Sequence, residues 1–172
     1  MKKISILLVI VAMVFAALPA SAQMTPAVEV SDQVSLDGSV VIDKVVSEGD
    51  GFVVIHIDNG GSPGPVAGFT WLHPGEQSNV RVWIDTTMAT PVLFAMLHVD
   101  TGEVGVYEFG TVEGADGPVS VDGNVVTPSF NIQLIYANPQ KVAGSFVAAS
   151  AITDAPGWLV IHSENEGRPG PV

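Results

Sequence analysis

Two hydrophobic patterns divide the chain. Ile4 to Leu18 form an uncharged run, apolar but for Ser5, with Lys2 and Lys3 before it and Pro19 after it. Beyond residue 22 the period becomes two. Val40-Val41-Ile42, Gly51 to Asp58, Asn79 to Ile84, Val92 to Val99 and Val119-Ser120-Val121 are short and rich in β-branched and aromatic residues, which is the signature of strands. Turn formers separate them: Glu48-Gly49-Asp50-Gly51, Asn59-Gly60-Gly61-Ser62-Pro63-Gly64-Pro65, Asp100-Thr101-Gly102 and Asp122-Gly123-Asn124. There Gly, Asn and Asp tolerate positive φ, and Pro fixes the approach. Strands at such intervals without intervening helices predict an all-β chain, an antiparallel β-sandwich of immunoglobulin-like or related topology. A barrel is the alternative.

The first run has the parts of a Sec-type signal peptide: a positive n-region, an apolar helix, and small residues in Ala20-Ser21-Ala22 where a signal peptidase reads. Cleavage is expected after Ala22. A retained anchor is the competing reading, but the run is shorter than the ~20 residues that span a bilayer. No cysteine stands near the cleavage point to accept a lipid, and no second hydrophobic stretch follows. The expected product is a secreted, extracellular or cell-surface chain with no integral membrane segment.

Sliding the sequence on itself by 106 residues exposes an internal repeat. Gly51 to Val66 then meets Gly157 to Val172 with ten of sixteen positions identical and no gap. Upstream, Gly38, Ser39 and Val41 meet Gly144, Ser145 and Val147. Such a period is a sandwich-domain length, so the expectation is beads on a string and not a short solenoid repeat. The predicted organisation is a signal peptide at 1–22, an N-terminal segment and first strand at 23–39, repeat 1 at 40–131, and the truncated start of repeat 2 at 132–172. Three strands of a second copy bury too little apolar area to offset the entropy of ordering them. The tail is therefore either part of a longer tandem array or packs on the first domain or a neighbouring chain.

Charge narrows the partners. With the signal removed, four basic residues (Lys44, Arg81, Lys141, Arg168) face 18 acidic ones, a formal charge of −14. That field repels phosphate backbones and anionic headgroups, which argues against nucleic-acid and peripheral membrane binding and leaves cations as possible partners. The absence of cysteine removes both disulfide staples and thiol chemistry, so the core must carry the stability.

Several strings together resemble a known family: Gly51-Phe52-Val53-Val54-Ile55-His56, the turn Pro63 to Gly68, Ala89 to Asp100, Gly105-Val106-Tyr107-Glu108-Phe109 and Asp116 to Val121. The family is an uncharacterised repeat of secreted and cell-surface proteins of archaea and some bacteria, often in tandem, described as a domain of unknown function. The resemblance covers residues 40–130 and again 145–172. It implies a β-sandwich surface module, brings no known activity and carries over no catalytic residue.

One constellation is a candidate for chemistry. Phe52, Val54, His56, Asp58 and Phe94, Met96, His98, Asp100 repeat aromatic, aliphatic, His, Asp on alternate positions, so each strand places an imidazole and a carboxylate on one face. On neighbouring strands, His56, Asp58, His98 and Asp100 would converge at one sheet end as ligands for a divalent cation such as zinc or copper. His162-Ser163-Glu164 partly repeats the pattern. The plainer role for each His is to hydrogen-bond a loop or its Asp and fix the Gly/Pro turn. His73, before Pro74-Gly75, reads as a turn residue. The acids at Glu48 and Asp50, Asp100 and Glu103, and Glu113 and Asp116 lack EF-hand spacing, and turn formation explains them better than calcium. Trp71, Trp83 and Trp158 would be core residues before they would be a sugar platform.

No nucleophile elbow, P-loop, dinucleotide fingerprint or His-Glu-x-x-His helix occurs. The expected protein is a noncatalytic secreted or surface module without a cofactor, structural or adhesive, whose partner is a protein or envelope component. An extracytoplasmic metal-binding sandwich is the alternative.

Overall fold

The computed structural model describes residues 24–141, 144, 146–153 and 155–172. The signal segment at 1–22 lies outside the described residues. The strands are β1 (Ala27–Glu29), β2 (Gln33–Ser35), β3 (Ser39–Ser47), β4 (Gly51–Asp58), β5 (Pro63–Leu72), β6 (Gly75–Trp83), β7 (Val92–Val99), β8 (Ser120–Val121), β9 (Asn124–Val125), β10 (Ser129–Tyr136), β11 (Ser150–Ile152), β12 (Glu164–Asn165) and β13 (Arg168–Pro169). No helix occurs among the described residues.

Two sheets face each other, β1-β3-β6 and β11-β10-β7-β4-β5, with β2 added to β10 in parallel. The remaining pairings are antiparallel. The chain alternates between layers: β3 in the small sheet, β4 and β5 in the large one, back for β6, and across again for β7 and β10. This crossing pattern is immunoglobulin-like, with three strands against a four-strand core sheet, and the first strand is split between layers as β1 and β2. Among the described residues these two sheets stay separate, a sandwich and not a barrel, and β8-β9 and β12-β13 form two short hairpins outside them.

The core follows from the pleat. Val53 and Ile55 on β4 and Leu93, Ala95 and Leu97 on β7 point at Val40, Ile42, Val45 and Val82 of the small sheet. Phe130 and Ile132 on β10 complete this layer. On β3 the inward positions change parity between Ile42 and Val45. The change falls between the pairs Ile42↔Val80 and Lys44↔Ser78, where Asn79 has φ 54°. That conformation is one Asn adopts more readily than most side chains.

Two boundaries differ from the sequence reading. Pro63 and Pro65, expected in a turn, belong to β5, which extends to Leu72 and lies at the edge of its sheet, the one place a ladder tolerates proline. β6 starts at Gly75 and not Asn79. Where β5 passes the end of β6, the backbones nearly touch: a Cβ on Gly68 would collide with the Trp83 carbonyl oxygen. Asp85 N–H donates to Ala67 O at 2.8 Å beside it, closing that corner of the sandwich.

The tail copies backbone detail of the first domain at the 106-residue offset. Gly38 and Gly144 have φ 79° and 67°, Gly60 and Glu166 have 68° and 51°, and Gly61 and Gly167 have 87° and 77°. Asp58 accepts from Gly61 N–H as Glu164 accepts from Gly167 N–H. The pair Asp58↔Pro63 recurs as Glu164↔Pro169. A Cβ on Gly64 would strike Asn59 Cβ and Ile57 O, and one on Gly170 would strike Asn165 Cβ and Ser163 O, the same positions displaced.

Candidate functional site: a histidine-centred cluster on the outer face

β4 is buried on both faces from Gly51 to His56. Val53 and Ile55 enter the sandwich, so Phe52, Val54 and His56 must find cover outside it. The register with β7 sets Phe94, Met96 and His98 on that same outer face, with Phe52↔His98, Val54↔Met96 and His56↔Phe94 opposite one another. The cover is the long connection at 100–118. It leaves β7, folds over the outer face, and returns to it: Val99 N–H donates to Gly117 O at 3.0 Å and Val119 N–H donates to Leu97 O at 2.8 Å.

The rings form one cluster. His56 and His98 lie with centroids 5.8 Å apart and planes 21° from parallel. Phe109 meets His98 edge-on at 5.0 Å, and Tyr107 does so at 5.7 Å. Tyr107 also packs on Phe52 at 5.2 Å and on Phe69 at 4.7 Å. These separations and tilts are the favoured aromatic arrangements.

Each histidine also clamps backbone, His56 the start of β5 and His98 the covering segment. His56 Nδ1 donates to Gly64 O at 2.7 Å and His98 Nδ1 donates to Asp116 O at 2.6 Å. A carbonyl only accepts, so Nδ1 carries a proton in each ring, and Nε2 holds the lone pair in the neutral form. Both Nε2 atoms are buried without a partner. Burial foremost, with the neighbouring His56 adding to it, holds the His98 imidazole below its ordinary value, against the opposing pull of the Asp116 contacts. Burial and the Asp116 carboxylate push the Tyr107 phenol up to about 12.

Asp116 ties the covering segment together. Fully buried and at φ 47°, it accepts from Thr101 N–H at 2.8 Å and from Glu108 N–H at 2.6 Å. Its own N–H donates to Thr101 Oγ1 at 3.0 Å. The sequence reading assigned Asp116 to a turn and did not place it at this junction. The only local signal was its position in Gly114-Ala115-Asp116-Gly117-Pro118.

Of the four residues grouped in the sequence, the structure brings His56 and His98 together and keeps Asp58 and Asp100 apart. β4 and β7 are antiparallel, so the strand ends that carry the two carboxylates are opposite ends of the sheet, and the expected convergence does not form. Asp58 caps the β4–β5 turn through Gly61 N–H. Asp100 accepts from Trp71 Nε1 and from Gly105 N–H, each at 2.7 Å. Among the described residues no group of three or more His, Cys, Asp or Glu is placed to hold a metal ion. His162 donates to Gly170 O at 2.6 Å, as His56 does to Gly64 O. His73 is exposed beside Trp71, with centroids 4.4 Å apart.

The tryptophans depart from the core role. Trp71, Trp83 and Trp158 are 36%, 62% and 95% exposed. The Arg81 guanidinium lies 6.0 Å from the Trp83 ring, a spacing at which cation–π attraction acts. No tryptophan stacks on another among the described residues, so they form no common platform.

Residues 26–133 match the family described as Domain of unknown function (DUF7282). Cell surface glycoprotein 2 of Haloarcula hispanica is 32% identical over 118 residues, covering 67% of this chain and 12% of that protein. Cell surface glycoprotein 1 of the same organism is 32% identical over 113 residues, covering 64% of this chain and 12% of that protein. The chain therefore spans about an eighth of the length of these relatives. No solved structure matches it.

Proposed function

We propose, from the premise that the chain belongs to the family Domain of unknown function (DUF7282), that it is an exported, noncatalytic structural module of a cell surface, one unit of a tandem array. The observation that carries this reading is the likeness to two cell surface glycoproteins over the domain itself. The signal-type N-terminus, the absence of cysteine and the acidic composition suit a chain that works outside the membrane. The repeat supports the tandem arrangement, because the tail carries the sequence and the turn geometry of the β4–β5 hairpin. The outer-face cluster supports a structural role. Its imidazoles and its buried carboxylate bond to backbone groups of β5 and the covering segment, and the aromatic rings that surround them fill space.

Expression in an archaeal host with a C-terminal tag tests the reading. Cell fractionation should place the protein outside the membrane, with Gln23 as the first residue by N-terminal sequencing. Brief protease treatment of intact cells should remove it. Retention in the cytosol with residues 1–22 still attached would defeat the proposal.

A further inference from the structure

Residues 132–136 belong to two patterns at once. As part of β10 they finish the first sandwich: β10 pairs with β7 through Ser129↔Phe94, Phe130↔Leu93 and Asn131↔Val92, and with β2 through Ile132↔Gln33, Gln133↔Val34 and Leu134↔Ser35. At the 106-residue offset, however, Gln133–Ile135 correspond to Ala27–Glu29, which is β1, and Ser150–Ile152 correspond to Lys44–Val46, which lie in β3. In the first copy these two strands pair as Ala27↔Val46, Val28↔Val45 and Glu29↔Lys44. In the second copy they pair as Leu134↔Ile152, Ile135↔Ala151 and Tyr136↔Ser150, antiparallel again and one residue out of step. Leu134, fully buried, has a strand partner in each copy, Ser35 and Ile152.

The lengths agree with this double use. The family match runs from 26 to 133, and residue 26 displaced by the period is residue 132, so the end of one copy overlaps the start of the next. No residues are left for a linker. The second copy also has its core strand in waiting. The side chains that match buried Phe52, Val53, Val54 and Ile55 are Trp158, Leu159, Val160 and Ile161, all exposed.

We propose that successive modules of this family join through a strand held in common: Ser129–Tyr136 closes one sandwich and opens the next. The partner that fits this surface is the following copy of the same module. This rests on the tandem reading above and goes beyond it, because it replaces flexibly linked beads with a continuous hydrogen-bonded ladder. Domains joined by free linkers move relative to one another by default. Here bending at the junction requires breaking backbone hydrogen bonds of β10, so the array is a stiff rod with a fixed rotation per module.

The test uses the chain from residue 23 to 172, which has no native cysteine to interfere. Two double variants, Tyr136→Cys/Ser150→Cys and Ile135→Cys/Ala151→Cys, sit at adjacent cross-strand pairs, where Cα separations suit a disulfide. Glu29→Cys/Lys44→Cys, at the corresponding place between β1 and β3, is the control. On mild oxidation the control and at least one β10–β11 variant should form an intramolecular crosslink to a similar extent. Amide exchange on the unmodified chain is independent of those substitutions. The alternate amides of Leu134–Tyr136 and Ser150–Ile152 that face the partner strand should be protected together, at least tenfold over the unfolded rate. Deleting 137–172 should speed exchange at Leu134–Tyr136 and leave β4 protected. A crosslink in the control alone, or exchange at 150–152 as fast as in an unfolded chain, would overturn the shared strand. Either result would leave the cell-surface reading standing, since that reading fails only by localisation.

Discussion

Gly68 and Asp116 show how single residues fix this fold. At Gly68 even a methyl group collides with the Trp83 carbonyl, and the colliding atom is backbone. Gly68→Ala is expected to cost about 1–3 kcal/mol, the range for overpacking, read as a lower urea midpoint with unchanged slope. Asp116 is a buried carboxylate whose two oxygens each receive a backbone N–H. Asp116→Ala leaves both donors without that acceptor and should lose roughly 2–4 kcal/mol, with Thr101 and Glu108 amides exchanging faster than those of β4. Asp116→Asn keeps the shape but only one acceptor oxygen, and should fall between the two. Equal stability of all three proteins would show that Asp116 does not hold the segment. Neither residue announces this role in the sequence. A glycine or an aspartate before glycine reads as a turn, and only the return of the chain over the outer face makes one a contact point and the other a hub.

At the scale of elements, the covering segment at 100–118 is fastened to β7 through His98. His98 bonds to Asp116 O through Nδ1 and meets Tyr107 and Phe109 with its ring. The titratable groups around it are His56 from β4, and Tyr107 and Asp116 from the segment itself. The folded imidazole titrates below its ordinary value of 6.5, so between those two pH values the unfolded chain binds the proton that the folded chain refuses. The stability contributed by neutral His98 is therefore complete above about 6.5 and declines as pH falls toward the folded value. Denaturant titrations from pH 8 to pH 5 should show that decline, and His98→Phe should flatten it. A slope unchanged by the substitution would place the titration elsewhere. The period-two pattern made β4 and β7 legible, and the alternate His positions with them. The pairing direction was not legible. Antiparallel register carries Asp58 and Asp100 to opposite ends and leaves the two imidazoles with backbone carbonyls and rings.

For the whole molecule, a formal charge of −14 on residues 23–172 means self-repulsion that salt screens. Raising NaCl from 0.1 M to 2 M should increase Tm by several degrees, and by less when exposed acids such as Glu103, Glu113 and Asp122 are changed to Gln or Asn. A Tm independent of salt would show that the acids do not strain the fold. Charge, the absence of cysteine, the all-β class and the 106-residue repeat are properties of order and composition, so the sequence by itself determined them. Alternation along a strand needs no partner to be seen. What tertiary structure alone decided is where each strand's second face goes. It put the covering segment over His56 and His98, turned Pro63 and Pro65 into an edge strand, and gave β10 partners from both earlier and later in the chain. These outcomes depend on contacts between residues far apart in the chain. Pairing direction and register, set by the packing of the two layers as a unit, fix them, and no local window of sequence contains that information.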